Sequence, residues 1–448
     1  MNHSRRELLQ GALGIGGALA LTDLLPLAKA EDVTPLHPDR YFVFAIFAGG
    51  WDPQLALDPR DPSIYDDSED TIADVGIQTG YSRLGMGADP RVFTSVEDLI
   101  FGPYIGNLAD FAPRISLVRG MAMSSVSHQT AMRHALTARV PAGNSVRGSS
   151  VGTILASVLG ENEAIPNLVA GSATFNVQHP LWCSGLRVSN IGDLRASLTA
   201  GASGLVDAER DALERFFLKE QQRAEKRRMQ AILESRLTSR SLIEENIADL
   251  FDTSSSDLSE LKELFGLNSG STGNAASSAL MAYQALTNGI SRCVTFRAAG
   301  GLDSHAGDSW RSVHGPNLQK GFNSVAALAQ QLEDTPYPTG GSWLDHTTIV
   351  CMSEFCRGPK LNRSGGRDHY ITNSCLLMGG GITGGKIIGA TSENKMRAQA
   401  VDLATGMVDN ENGERISHEH IARTLLYSVG ITDDIADVRV PPIDALLS

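Results

Sequence analysis

Apolar residues in this chain come mostly in short unbroken runs set between polar, glycine-rich stretches, the pattern of strands buried on both faces of a sheet. The first run is Tyr41–Phe47 (YFVFAIF), followed at once by Ala48-Gly49-Gly50-Trp51-Asp52. Further runs at Ile115–Val118, Asn167–Ala170, Cys293–Phe296, Thr347–Met352 and Cys375–Met378 predict strands. Helical spacing predicts helices over Ala131–Ala138, Ser149–Leu159, Ala275–Leu286, Asn317–Leu332 and His418–Val429, with a weaker one over Leu99–Phe111. Strands alternating with helices imply an α/β fold with a doubly wound, mostly parallel sheet. Asp58–Pro90, rich in Asp, Gly, Ser and Pro, reads as a long surface excursion. Asp207–Phe251 is dense in charge and carries a helical stripe of Leu213, Phe216, Phe217, Met229, Ile232 and Leu233. It predicts two or three amphipathic helices, an insertion over about 206–266 within one domain spanning 31–448, closed by a Gly/Ser linker at Asn268–Gly273.

Composition changes this picture little. The chain has 448 residues, 42% hydrophobic and 20% charged, and its net charge of −13 argues against a nucleic-acid surface while leaving room for a locally basic pocket. The N-terminus is an address. Ser4-Arg5-Arg6-Glu7-Leu8-Leu9 is a twin-arginine signal, Gly11–Leu27 is an apolar, glycine-rich run, and Ala28-Lys29-Ala30 is a small-x-small cleavage site. Residues 1–30 are therefore expected to be a signal peptide read by the twin-arginine export machinery. The mature chain would start near Glu31, in the periplasm or secreted, with no stable membrane span. The five cysteines show no zinc-type C-x-x-C spacing, and Cys293, Cys351 and Cys375 fall inside strands as buried thiols.

The chemistry gathers where apolar runs end. Asp52 follows the first strand, Asp303 and His305 follow the strand at Cys293, and Glu354 follows Thr347–Met352. Asp368–His369 enters just before the next strand, and Ser124–His128 precedes the Ala131 helix. In a parallel sheet these ends open on one side, where ligands sit. Carboxylate and imidazole suit a divalent metal, zinc or manganese, and two such ions would clamp an anionic ester. The bland reading of each residue alone is a helix cap or a locally satisfied histidine. Ser127 at a helix start suits a nucleophile or an ordinary cap. Arg357, Lys360 and Arg367 read as a sulfate or phosphate grip or as solvated loop charges. Gly379–Gly385 lacks the Gly-Lys-Ser/Thr ending of a phosphate loop and reads as a tight turn, and His418 and His420 as local helix-cap groups.

Taken together, the twin-arginine leader, AGGWD, the Ser127-His128 helix start, GLDSHAGD, SEFCRGPK, GGRDH and GGGITGGKIIGAT resemble the DUF1501 proteins over nearly the whole mature chain. That family is related to the alkaline phosphatase, sulfatase and phosphoglycerate mutase superfamily. The resemblance implies a dinuclear metal centre with Asp52, Asp303, His305, Glu354 and His369 as ligands, and Asp368 replacing an imidazole whose place Phe355 takes. Ser127 stands where phosphatases carry serine. Thr137-Ala138-Arg139, similar to the sulfatase Thr-Gly-Arg, instead points to His128. The sulfatase Cys-x-Pro-x-Arg is absent, which excludes a formylglycine enzyme. The expected function is an exported metal-dependent hydrolase of phosphate or sulfate esters. The rival is a non-catalytic exported protein binding an envelope glycan or a protein partner.

Overall fold

The computed structural model describes residues 35–84, 91–92, 99–143, 145–199, 247–267, 274–431 and 438–448. The leader, residues 206–246 of the expected insertion and the Asn268–Gly273 linker lie outside the described residues. The main sheet has eight strands: β1 (Tyr41–Phe47), β2 (Ile115–Ala122), β3 (Asn167–Ala170), β4 (Leu186–Val188), β5 (Cys293–Ala299), β6 (Thr347–Met352), β7 (Thr372–Gly379) and β8 (Lys386–Ile388). Their spatial order is β8-β2-β7-β6-β1-β5-β3-β4. All run parallel except β7, which is antiparallel to both β6 and β2.

The unbroken apolar β1 has a simple cause. Its side chains alternate faces, so Tyr41, Val43, Ala45 and Phe47 enter one core while Phe42, Phe44 and Ile46 enter the other. The first core is roofed by α3 (Ala275–Thr287) and α4 (Gly315–Asp334), the second by α1 (His128–Thr137), α2 (Val151–Leu159) and α5 (His418–Tyr427). The fold is thus doubly wound α/β, as the alternation of elements implies. All five cysteines are buried and free.

Two expectations change. The weak helix over Leu99–Phe111 is instead a short strand, Ile100–Phe101, followed by a 3-10 turn at Gly106–Arg114. The Asp58–Pro90 stretch is not wholly superficial, because Asp58, Gln78, Thr79 and Tyr81 are buried. Asp58 lies 2.8 Å from Arg60 and 3.6 Å from Arg119, an ion cluster that fastens the segment to the body. Among the described residues no helix is long and apolar enough to cross a membrane.

A cluster of imidazoles around Asp303

The carboxyl ends of β1, β2, β5 and β6 open on one rim, and the reversed β7 brings its amino end to that same rim. Asp303 and His305 arrive after β5, Glu354 after β6, His128 at the start of α1 beyond β2, and His369 just ahead of β7. The turn after β1 makes room for them. Gly49 has φ +116°, and a Cβ there would lie 2.7 Å from the Asp303 backbone nitrogen. A side chain at this glycine would therefore push the β1 and β5 loops apart.

Asp303 is the hub. His305 Nε2 lies 3.0 Å and His369 Nε2 3.3 Å from its Oδ1, and His128 Nε2 lies 3.4 Å from its Oδ2. The candidate ligand atoms of His128, Asp303 and His369 all fall within 4.8 Å of one another. His305 Nε2 lies 3.0 Å from His369 Nε2. The opposite nitrogen of each ring is already committed. His128 Nδ1 donates to Glu354 Oε1 at 2.9 Å, His369 Nδ1 to the Val126 carbonyl at 2.8 Å, and His305 Nδ1 to Asp368 Oδ1 at 3.0 Å. A carbonyl or carboxylate only accepts, so each Nδ1 carries a proton. In the neutral rings all three Nε2 atoms then present lone pairs to one another and to a carboxylate. Arg357 Nη1 meets His305 Nε2 at 3.4 Å, and the other lone pairs repel unless a proton or a further cation sits among them. His128 Nε2 is buried with no hydrogen-bond partner. Imidazoles pinned at Nδ1 with Nε2 turned to a shared centre are how histidines are held as metal ligands, so His128, His369 and Asp303 fit a divalent ion.

Arg357 completes the cluster from below. Its buried guanidinium donates to Asp303 Oδ1 at 2.7 Å and also binds the Gly49, Gly50 and Arg367 carbonyls. Burial alone would raise the Asp303 carboxyl, but the Arg357 guanidinium beside it outweighs that and holds the group well below the usual carboxylate range. The bond to Glu354 raises His128, while burial lowers His369. Phe355 packs its ring 4.8 Å from His128 and 4.5 Å from His369, walling the cluster on its apolar side.

Residues 42–431 match the family model described as "Protein of unknown function (DUF1501)". The chain belongs to the DUF1501 family. No curated protein matches it. Among solved structures it is similar to Ps i-CgsB in complex with k-i-k-neocarrahexaose, at 10% identity and TM-score 0.36, covering 90% of this chain and 73% of that one. It is also similar to the alkaline phosphatase of the Antarctic bacterium TAB5, at 11% identity and TM-score 0.31, covering 78% of this chain and 92% of that one. These are likenesses of architecture, and residue roles rest on the geometry alone.

In this DUF1501 chain the structure brings Asp303, His305 and His369 together as their positions imply, and adds His128 as a fourth member. Three other expected ligands sit elsewhere. Asp52 is fully buried, with Oδ2 2.8 Å from both Arg367 Nε and Trp310 Nε1 and Oδ1 accepting from the Gln54 amide at 3.1 Å. Glu354 is spent on His128, the Gly49 amide and Ser353. Asp368 backs His305 and accepts from Asn362 at 2.8 Å. The cluster therefore suits one ion, where the resemblance implied two. Arg367 is not a solvated loop charge. Its guanidinium is buried against Asp52 and the carbonyls of Gly358, Gln78 and Thr79. Arg357 is likewise buried, and Lys360 alone of the three is exposed. Ser127 is the N-cap residue of α1, exposed and without a side-chain cap bond. Sequence reading reached His128 only through Thr137-Ala138-Arg139, as occupant of the nucleophile's place, and its partner Glu354, 226 positions away, shows only in the folded chain.

Proposed function

We propose that this chain is an exported hydrolase of phosphate or sulfate esters, free or carried on a glycan, that works with one bound divalent ion. His128, Asp303, His305 and His369 would hold the ion, and three imidazoles beside one carboxylate favour zinc over manganese. The observation that carries this reading is the set of three Nε2 lone pairs converging on Asp303 while every Nδ1 is occupied. When bound, such an ion supplies a Lewis acid for an ester oxygen and acidifies a bound water. Glu354, Asp368 and the Val126 carbonyl fix the ring orientations, and Arg357 keeps Asp303 ionised. Export by the twin-arginine route to the periplasm or beyond rests on the Ser4–Leu9 motif and is part of the same proposal.

The test is elemental analysis of protein purified without chelator, followed by assays on aryl phosphates, diesters and sulfates. Near-stoichiometric zinc that disappears in an Asp303→Ala/His369→Ala variant, together with turnover of one ester class, supports the proposal. Absence of metal in the folded protein overturns it. A second reading, a non-catalytic protein of this fold that binds an ion and a glycan or protein partner, is favoured by the exposed, unbound Ser127 hydroxyl. Metal without turnover would select it.

A further inference from the structure

A second cluster lies on the same α1 helix, away from the Asp303 group. Ser124 is exposed in the loop after β2, and its Oγ lies 2.9 Å from His134 Nδ1. His134 is buried, and its Nε2 lies 2.8 Å from Glu419 Oε1 at the start of α5. Ser417 donates to the other Glu419 oxygen. One tautomer fits this order: Nδ1 accepts the serine hydroxyl proton, and Nε2–H faces the carboxylate at ion-pair distance, off the line of a hydrogen bond. Serine, imidazole and carboxylate thus lie in the relay order of a hydrolytic triad, which is recognised by geometry and role and not by position in sequence. The ring presents its two nitrogens in the opposite sense to the usual triad, with the proton path unchanged. Glu419 is held ionised for the task. Burial alone would raise it, but the His134 ring and the Ser417 hydroxyl beside it bring it to about 2.

We infer that Ser124 is the nucleophile of a metal-independent serine esterase acting on neutral carboxylic esters, with His134 as its base and Glu419 as the positioning residue. The substrate class follows from charge. The groups packed on His134 are Glu419, an anion, and His418, whose edge meets the His134 ring at 5.6 Å and which burial holds neutral with a pKa of about 3. A phosphate or sulfate would gain no cation from them, whereas an uncharged acyl ester loses nothing. In the reaction Ser124 Oγ bonds to the acyl carbon as its proton passes to His134 Nδ1. The ester C–O bond then breaks, and the departing alcohol oxygen takes that proton. Water repeats the sequence, giving up a proton to His134 and adding to the acyl carbon, and Ser124 leaves with the proton as the carboxylic acid forms.

The experiment uses the full-length protein, a fluorophosphonate probe read by peptide mass spectrometry, and p-nitrophenyl acetate hydrolysis, each with and without EDTA. The expected result is one label per chain on Ser124, unchanged by EDTA. Ser124→Ala should lose the label and lower hydrolysis at least 100-fold, while Ser125→Ala keeps both. Ser124 is exposed, so its variant tests the inference even where His134→Gln fails to fold. Glu419→Asp should restore labelling lost in Glu419→Gln and return the pH profile of labelling to that of the parent, which a merely structural carboxylate would not do. Failure to label folded protein, or labelling and hydrolysis that persist in Ser124→Ala, overturns the inference. Labelling abolished by EDTA also overturns it, by assigning the serine to the metal cluster.

Discussion

The separation of Asp52 from the metal cluster can be put to a direct test. Asp52 and Arg367 are both fully buried, with 2.8 Å between Oδ2 and Nε. Asp52→Asn keeps the size of the side chain, but its single amide oxygen can accept from Trp310 Nε1 or from the Gln54 amide, not from both. It leaves the Arg367 charge buried with only backbone carbonyls around it. Removing one partner of a buried pair costs about 3–5 kcal/mol, and Asp52→Asn should fall in that range. Asp52→Ala also strands the Trp310 N–H and should cost about 1–3 kcal/mol more. Both losses should appear as a lowered urea midpoint of the metal-free protein, followed by tryptophan fluorescence. Asp52→Asn/Arg367→Met should recover part of the loss, because no unpaired charge remains. Metal stoichiometry of the folded Asp52→Asn protein should match that of the parent. A variant that unfolds at the parent's midpoint but binds no metal would refute this reasoning and return Asp52 to the ligand set.

Glu354→Gln should weaken metal binding about 10–100-fold, because the His128 tautomer loses its carboxylate anchor, and competition with a chromogenic chelator measures it. Asp303→Asn should reduce bound metal to background in elemental analysis while the far-UV circular dichroism of the chelated protein stays that of the parent. Stability should fall on acidification. Burial keeps His314 and His418 neutral with pKa values lowered from 6.5 to about 3, so between these pH values the unfolded chain binds protons that the folded chain refuses. Urea midpoints of the chelated protein should drop from pH 7 to pH 4, and His314→Gln should flatten the slope; an unchanged slope in the variant would contradict this assignment. Gly49→Ala, at φ +116° and 2.7 Å from the Asp303 backbone, should lower both the midpoint and metal affinity, and parent-like values of both would show that the rim tolerates the added methyl.

The pattern of residues along the chain determined six of the eight strands, β4 and β8 being too short to mark, the two-faced burial of β1 and the rim on which the polar groups collect. Unbroken apolar runs with glycine and acid at their ends allow few alternatives. Sequence also marked Asp303, His305 and His369 as chemistry-bearing. Tertiary structure alone decided which rim residues meet. Asp52 and Asp303 occupy equivalent places after neighbouring strands, yet Asp52 turns inward because Arg367 and Trp310, more than 250 positions away, complete its bonds. His369 reaches the rim only because β7 runs against its neighbours, and His134 finds Glu419 only because α1 and α5 share one face of the sheet. Local sequence fixes where the backbone turns, but a polar side chain settles where its hydrogen bonds are completed, and here those partners come from remote segments that only the folded sheet brings within reach.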